Sequence, residues 1–292
     1  MSDIFPPFAP DPNEPRRRLF KPVPFRMIAP NLITLIALCL GLTAIRWAYE
    51  GRLEPAVYFI VIAAALDGVD GRVARALKST SRFGAELDSL SDFVNFGVAP
   101  ALVLYSFILH DLRALGWIVA LVFAIAAGLR LARFNVMLDD PNRPEWKKNF
   151  FVGMAAPAGA IAALLPIYLN FLGVPVTGLT AAWLSLFYVL LIAFLMVSTI
   201  PTFSGKTMGK RIPRDWVLPL FVVTVAFFGL LVSFPFEVLA VGTIVYLGAI
   251  PIGAARYRQL DRGDVGRAPA EEKIPPVPPE PGDEQQPSRP LH

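Results

Sequence analysis

Four aspartates in an otherwise apolar sequence have the types and spacing to do chemistry: Asp67, Asp70, Asp88 and Asp92. They stand in Asp67-Gly68-Val69-Asp70-Gly71-Arg72-Val73-Ala74-Arg75 and, after eight further residues, in Gly84-Ala85-Glu86-Leu87-Asp88-Ser89-Leu90-Ser91-Asp92. The first pair is three residues apart and the second four, so on helices each pair projects from one face within a turn. A short connection between two antiparallel helices would bring all four carboxylates together. Carboxylates at membrane depth cost ~2.5–3.5 kcal/mol each on insertion scales, and four facing one another would also repel. Divalent cations remove both problems, and all-oxygen ligation suits Mg²⁺ or Mn²⁺. Two such ions about 3.5–4 Å apart could clamp the attacking and leaving oxygens of an in-line phosphoryl displacement. A blander reading makes the acids interfacial caps beside Arg72 and Arg75. It suits one acid at a helix end better than four at fixed offsets.

The small residues fit the same picture. At about 100° per residue, Asp67, Gly71, Ala74 and Arg75 lie along one stripe. Gly71 and Ala74 leave room beside the carboxylates for a nucleotide to approach the backbone, and Arg75 can hold a phosphate bidentately. Gly84, Asp88, Asp92 and Asn95 form the corresponding stripe of the second helix, with an amide just deeper than the last acid.

The elements that must position these groups are membrane spans. Of the 292 residues, 55% are hydrophobic and 17% charged. The apolar residues fall into runs near the ~20 residues that a spanning helix requires. Eight are expected, at about 29–49, 54–77, 84–108, 114–138, 152–172, 178–200, 215–233 and 235–255, giving an all-α, polytopic transmembrane bundle. Residues 1–25 and 259–292, rich in proline and charge, are expected to be disordered tails flanking a transmembrane catalytic domain over 26–258. The first run is too long for a signal-peptide core, so it is expected to remain a span.

Basic residues cluster at alternate ends of the spans: Arg72, Arg75, Lys78 and Arg82, then Arg130, Arg133, Arg143, Lys147 and Lys148, then Lys206, Lys210, Arg211 and Arg214, then Arg256, Arg258 and Arg262. The opposite loops hold Arg52 and Arg113. The positive-inside rule therefore predicts cytoplasmic termini and a cytoplasmic acid site. The charge pattern speaks for membrane orientation, not nucleic-acid binding. One cysteine, Cys39, excludes an internal disulfide framework, and two histidines, His110 and His292, leave a Ser-His-Asp triad or a zinc site short of parts.

The segment from Asp67 to Asp92 resembles the signature of the CDP-alcohol phosphatidyltransferase family, D-x-x-D-G-x-x-A-R, eight residues, G-x-x-x-D-x-x-x-D, at every fixed position. The resemblance covers roughly residues 27–205 and implies that family's fold, with the extra spans at about 215–255 outside it. It implies that Asp67, Asp70, Asp88 and Asp92 hold two divalent cations. It also implies that Asp92 deprotonates an acceptor hydroxyl, and that Gly71, Ala74 and Arg75 surround the CMP-pyrophosphate of the donor. Asn31, in Pro30-Asn31-Leu32-Ile33-Thr34, resembles another segment near the nucleotide.

Within the family the chain is most similar to the bacterial, membrane-integral phosphatidylserine synthases, through Asp88 to Pro100, Arg130-Leu131-Ala132-Arg133-Phe134-Asn135, Phe151 to Ala158 and Leu195 to Thr199. Ala155 stands where related enzymes commonly have proline. The implied partners are CDP-diacylglycerol, L-serine, membrane lipids and a second copy of the chain, in a bacterial cytoplasmic membrane. Other acceptors (glycerol 3-phosphate, inositol phosphate or choline) stay open, because acceptor choice rests on a few side chains. Arg130 and Arg133 share a face and either bind a substrate carboxylate or phosphate or anchor topology. Asn95 and Asn135 either contact the acceptor or join helices. A cation transporter is the remaining alternative, though it would favour acids near the midplane.

Overall fold

The computed structural model describes residues 25–77, 79, 81–138, 150–199, 201–203 and 214–265. Both expected tails, apart from Phe25 and residues 259–265, fall outside the described residues, as do Lys78, Arg143, Lys147, Lys148, Lys206, Lys210 and Arg211.

Each apolar run becomes helical. Helices α1 (Phe25–Tyr49) and α2 (Leu53–Ala76) form a hairpin whose turn passes through Gly51 at φ +75°, a left-handed backbone that glycine adopts without cost. The two pack through alanines: Ala37, Ala44 and Ala48 on α1 and Ala56 and Ala63 on α2 are buried. Small side chains let helix backbones approach closely where lipid offers no hydrophobic drive to pair.

The third run, expected as one helix over 84–108, is broken into α3 (Arg82–Phe93), a π-helical turn (Val94–Val98) and α4 (Ala99–Phe107). Pro100 explains the break. It has no N–H to give, and its ring crowds the carbonyl four residues back. The chain widens, and the Ala99 N–H reaches Val94 O, five residues back. Helix α5 (Ala114–Leu138) then packs against α4 and, more extensively, against α8 (Gly178–Val197).

Between α5 and α8, the run expected at 152–172 is two short helices, α6 (Ala156–Ala163) and α7 (Leu165–Phe171). Pro157 and Pro166 each sit in a first turn, where a missing N–H costs nothing. A three-residue antiparallel ladder joins β1 (Phe150–Val152) to β2 (Pro201–Phe203), with Phe151 opposite Thr202. Strands this short leave no alternation to read in the sequence.

Helices α9 (Arg214–Ser233) and α10 (Pro235–Val265) complete the described chain. Helix α10 runs to Val265, past the expected boundary at 258. One stripe of it, including Phe236, Ala240, Thr243, Tyr246 and Ile250, faces the bundle, while Val241, Ile244, Val245 and Ile252 face outward. Phe236 lies 5.4 Å from Tyr58 and 4.6 Å from Phe171, ring centre to ring centre.

Among the described residues, five stretches are long and apolar enough to cross a membrane: Ile28–Tyr49, Arg82–Phe107, Ala114–Met137, Gly178–Val197 and Pro235–Gly253. Ala156–Phe171 and Val217–Ser233 are apolar but shorter. Helix α2 has the length but carries Glu54, Asp67, Asp70 and Arg72, so it stands apart from these. This is the make-up of a multi-pass membrane protein.

A close approach between α1 and the π-helical turn generates a test. A Cβ built on Gly41 of α1 would collide with the Asn95 side chain, whereas one on Gly248 of α10 would meet nothing within 4 Å. Gly41→Val is expected to destabilise the protein by about 1–3 kcal/mol, the usual cost of overpacking. Gly248→Ala is expected to leave it unchanged, with thermal melting in detergent as the measurement.

Candidate active site

The acids are placed by how α2 ends and α3 begins. Ser79 returns to cap α2, its N–H donating to Ala74 O at 3.0 Å. Two residues later the extended Ser81 caps α3, its Oγ accepting from Gly84 N at 3.0 Å. A Cβ on Gly84 would come within 2.9 Å of Asn31 Oδ1, so glycine at this position lets α1 lie against the start of α3. The connection is therefore tight, and the acidic faces of α2 and α3 meet across it.

Asp67, Asp70 and Asp88 each present a carboxylate oxygen, and the three oxygens lie within 4.8 Å of one another. Asp92 completes the group from the other side, its carboxyl facing that of Asp67 at hydrogen-bonding distance, with the Arg130 charge bearing on both. Asp70 is 5% exposed and held from two directions: Thr34 Oγ1 donates to its Oδ2 at 2.8 Å and Gly71 N to its Oδ1 at 2.6 Å. Oxygens alone, converging from two helices, make a donor set for a hard divalent cation, with Asp67, Asp70 and Asp88 able to share one. Each oxygen of Asp70 keeps a lone pair beyond its hydrogen bond, so the pairing with Thr34 is compatible with ligation.

Two clefts open onto this cluster. The first, of about 430 Å³, lies between α1, α2 and the start of α3 and is lined by Asn31, Thr34, Asp70, Gly71, Ala74, Arg75 and Asp88. The second, of about 510 Å³, lies between α3 and α5 and is lined by Arg82, Asp88, Ser89, Asp92, Arg130 and Asn135. Asp88 belongs to both. Arg130 is 9% exposed, stands over the Phe134 ring at 5.1 Å and has Tyr246 of α10 among its charged or polar neighbours. Asn135 Nδ2 donates to Ser89 Oγ at 2.9 Å, tying α5 to α3 at the rim of the second cleft.

Two residues singled out from the sequence lie elsewhere. Arg133 points away from both clefts: its Nη1 donates to Val197 O at 2.6 Å, where α8 ends and backbone carbonyls lack helical partners. Asn95 is 1% exposed, packed against Gly41 and donating to Ser91 Oγ at 3.2 Å, so it joins helices instead of lining a cleft. Conversely, Thr34, Arg82 and Ser89 reach the site without having been selected from the sequence. For Thr34 a signal existed, since it ends the Pro30–Thr34 segment whose Asn31 was selected.

The sequence model described as CDP-alcohol phosphatidyltransferase matches residues 27–183, and one described as CDP-alcohol phosphatidyltransferase 2 matches residues 215–251. A Mycobacterium tuberculosis protein named CDP-diacylglycerol–serine O-phosphatidyltransferase is 40% identical over 235 residues, covering 80% of this chain and 80% of that protein. A Helicobacter pylori protein of the same name is 36% identical over 222 residues, covering 75% of this chain and 87% of that one. A Bacillus subtilis protein, also so named, is 37% identical over 142 residues, 48% of this chain and 76% of its own.

The two arginines, alike in type and three residues apart, are expected to separate on substitution. Arg133→Ala strips the α8 carbonyls of their donor and should cost about 1–3 kcal/mol of stability. It should leave Mn²⁺ binding to the acid cluster unchanged. Thermal melting and Mn²⁺ titration of the same purified variant check both halves.

Proposed function

Since the chain belongs to the CDP-alcohol phosphatidyltransferase family, we propose that it transfers the phosphatidyl group of CDP-diacylglycerol to the hydroxyl of L-serine and releases CMP. The observation that carries this reading is the acid cluster standing between two clefts that share Asp88. A displacement needs a donor on one side of the reacting phosphorus and an acceptor on the other.

The first cleft suits the donor. Gly71 presents no side chain, and its nearest neighbour would be Arg75 Nη1, 4.0 Å from a Cβ built there, so backbone and guanidinium together offer a place for a pyrophosphate. Ala74 keeps the next turn low, and Asn31 offers an amide at the far wall. The second cleft suits a small zwitterion. Arg130 can pair with the serine carboxylate from the α5 wall, and Asp92 lines the same cleft from α3.

In this reading serine Oγ attacks the phosphorus attached to diacylglycerol, its proton passes to Asp92, and the bond from that phosphorus to the bridging oxygen breaks as CMP leaves. Bound divalent cations, Mg²⁺ or Mn²⁺, supply Lewis-acid stabilisation of the charge on the pyrophosphate. Asp67, Asp70 and Asp88 would hold the cations, with Asp92, beside Asp67, completing the set. The diacylglycerol tails stay in the bilayer beside the bundle.

The reading extends to placement. Arg72, Arg75, Arg82 and Arg130 gather at the end of the bundle that holds the acids, and the positive-inside rule makes that end cytoplasmic, in a bacterial cytoplasmic membrane. CDP-linked donor and serine are both supplied on that side. A homodimer is the assembly the family relationship favours.

The test is CMP release by the purified protein with CDP-diacylglycerol, Mn²⁺ or Mg²⁺, and serine, glycerol 3-phosphate, inositol phosphate or choline in turn. Release with serine, abolished by EDTA and lowered ~10²–10⁴-fold in Asp92→Asn, is expected for a lost general base. Release with a different acceptor would overturn serine and keep the transfer. No release with any acceptor would overturn the transferase.

A further inference from the structure

Asp70 is the least exposed of the four acids, and besides Gly71 N of its own helix it is held by a side chain of α1. The Thr34 hydroxyl has one proton and two acceptors in range: Asp70 Oδ2 at 2.8 Å and Pro30 O, one helical turn back, at 3.2 Å. The second is the ordinary habit of threonine in an apolar helix. The first is shorter and charge-assisted, the stronger kind of hydrogen bond. Thr34 is itself 5% exposed, so water does not compete freely for either group.

The backbone of the same residue faces α3. Ser91 Oγ donates to Thr34 O at 3.3 Å, and because its single proton is spent there, it accepts from Asn95 Nδ2 at 3.2 Å. Asn95 in turn occupies the space that Gly41 leaves on α1. A buried chain of hydrogen bonds thus runs from the π-helical turn through Ser91 to Thr34, and from Thr34 to a carboxylate of the acid cluster. One residue of α1 meets the acid-bearing faces of both α2 and α3.

We infer that Thr34 is a positioning residue for the divalent-cation site, its hydroxyl aiming the Asp70 carboxylate while its carbonyl holds α3 in register. The inference rests on the acid cluster being the cation site of the proposed transferase. Without the hydroxyl, Asp70 Oδ2 loses its partner on α1, and the carboxylate can rotate away from the oxygens of Asp67 and Asp88. Outer-shell partners of this kind typically change metal affinity by about 10–100-fold when removed.

The test is Mn²⁺ binding by the purified full chain in detergent, followed by the loss of the free-ion electron paramagnetic resonance signal, with melting temperature recorded in parallel. Thr34→Val keeps the shape and the carbonyl and removes only the hydroxyl. Thr34→Ser restores the hydroxyl. The inference expects Thr34→Val to weaken Mn²⁺ about 10-fold or more, with Thr34→Ser within about 2-fold of the parent. Equal Mn²⁺ affinity in Thr34→Val and the parent overturns it, as does equal weakening in Thr34→Val and Thr34→Ser. If Thr34→Val does not fold, Thr34→Ala removes the same hydroxyl and is read against the same outcomes. Asp88→Asn separates the two readings. Undiminished Mn²⁺ binding there removes the cation site and the inference with it, whereas loss there beside an unaffected Thr34→Val overturns the inference alone.

Discussion

Carboxylates that repel one another have to be kept together inside an apolar bundle, and the rest of the architecture answers to that constraint. Three of them converge within 4.8 Å, and a fourth faces them across Asp67. Mutual repulsion and the cost of leaving water would both push the helices apart. Opposing this are close backbone contact along the alanine seam of α1 and α2, a short capped connection into α3, and hydrogen bonds from Thr34 and Gly71. Glycine recurs where the helices come closest. Gly41 admits Asn95, Gly84 admits Asn31, and Gly71 leaves open the space in front of Arg75.

The same constraint accounts for the shape of the third run. A straight helix through 82–107 would carry both Asp88 and Asp92 near one end and a featureless apolar remainder. The π-helical turn changes the angular register directly after Asp92 and Phe93, and Asn95, its second residue, packs against Gly41 of α1. Pro100 forces the widening, but its consequence falls two turns earlier, at the residues that tie α3 to Thr34. Local covalent chemistry is in this way transmitted to the carboxylates by helix geometry alone.

What the sequence made legible follows from distance along the chain. The acid pairs were readable because offsets of three and four fall on one helix face, and because only a short connection separates them. The apolar runs located the helical stretches, since hydropathy over ~20 residues is a strong signal, but not the breaks inside 84–108 and 152–172 or the extension of α10 to Val265. The β1–β2 ladder was invisible, being too short for a pattern and joining segments some fifty residues apart. Arg130 and Arg133 were indistinguishable for a related reason. They share type, helix and approximate face, and what parts them is the end of α8, which only the folded chain brings beside Arg133. Thr34 and Asn95 divide likewise: an amide deeper than an acid left acceptor binding and helix joining both open, and the threonine stood out only as the end of the Pro30–Thr34 segment. Their roles depend on Gly41 and Asp70, which lie on different elements.

The last two helices carry no acid of the cluster, yet α10 is not merely appended. It begins beside the aromatic group of Tyr58 and Phe171, at the end of the bundle remote from the acids. Along α2, Tyr58 and Asp67 are nine residues apart, and along α10, Phe236 and Tyr246 are ten, so two helices that start level arrive level, at ~1.5 Å per residue. That places Tyr246 at the depth of the acids, on the stripe of α10 that faces the bundle, where it neighbours Arg130. Arg130 is therefore enclosed by Phe134 of its own helix, Asp92 of α3 and Tyr246 of α10. A nearly buried guanidinium needs such enclosure, because a charge removed from water is stable only when its surroundings supply partners in fixed positions. The core helices bring the acids together, and α10 closes the wall behind the arginine that answers them.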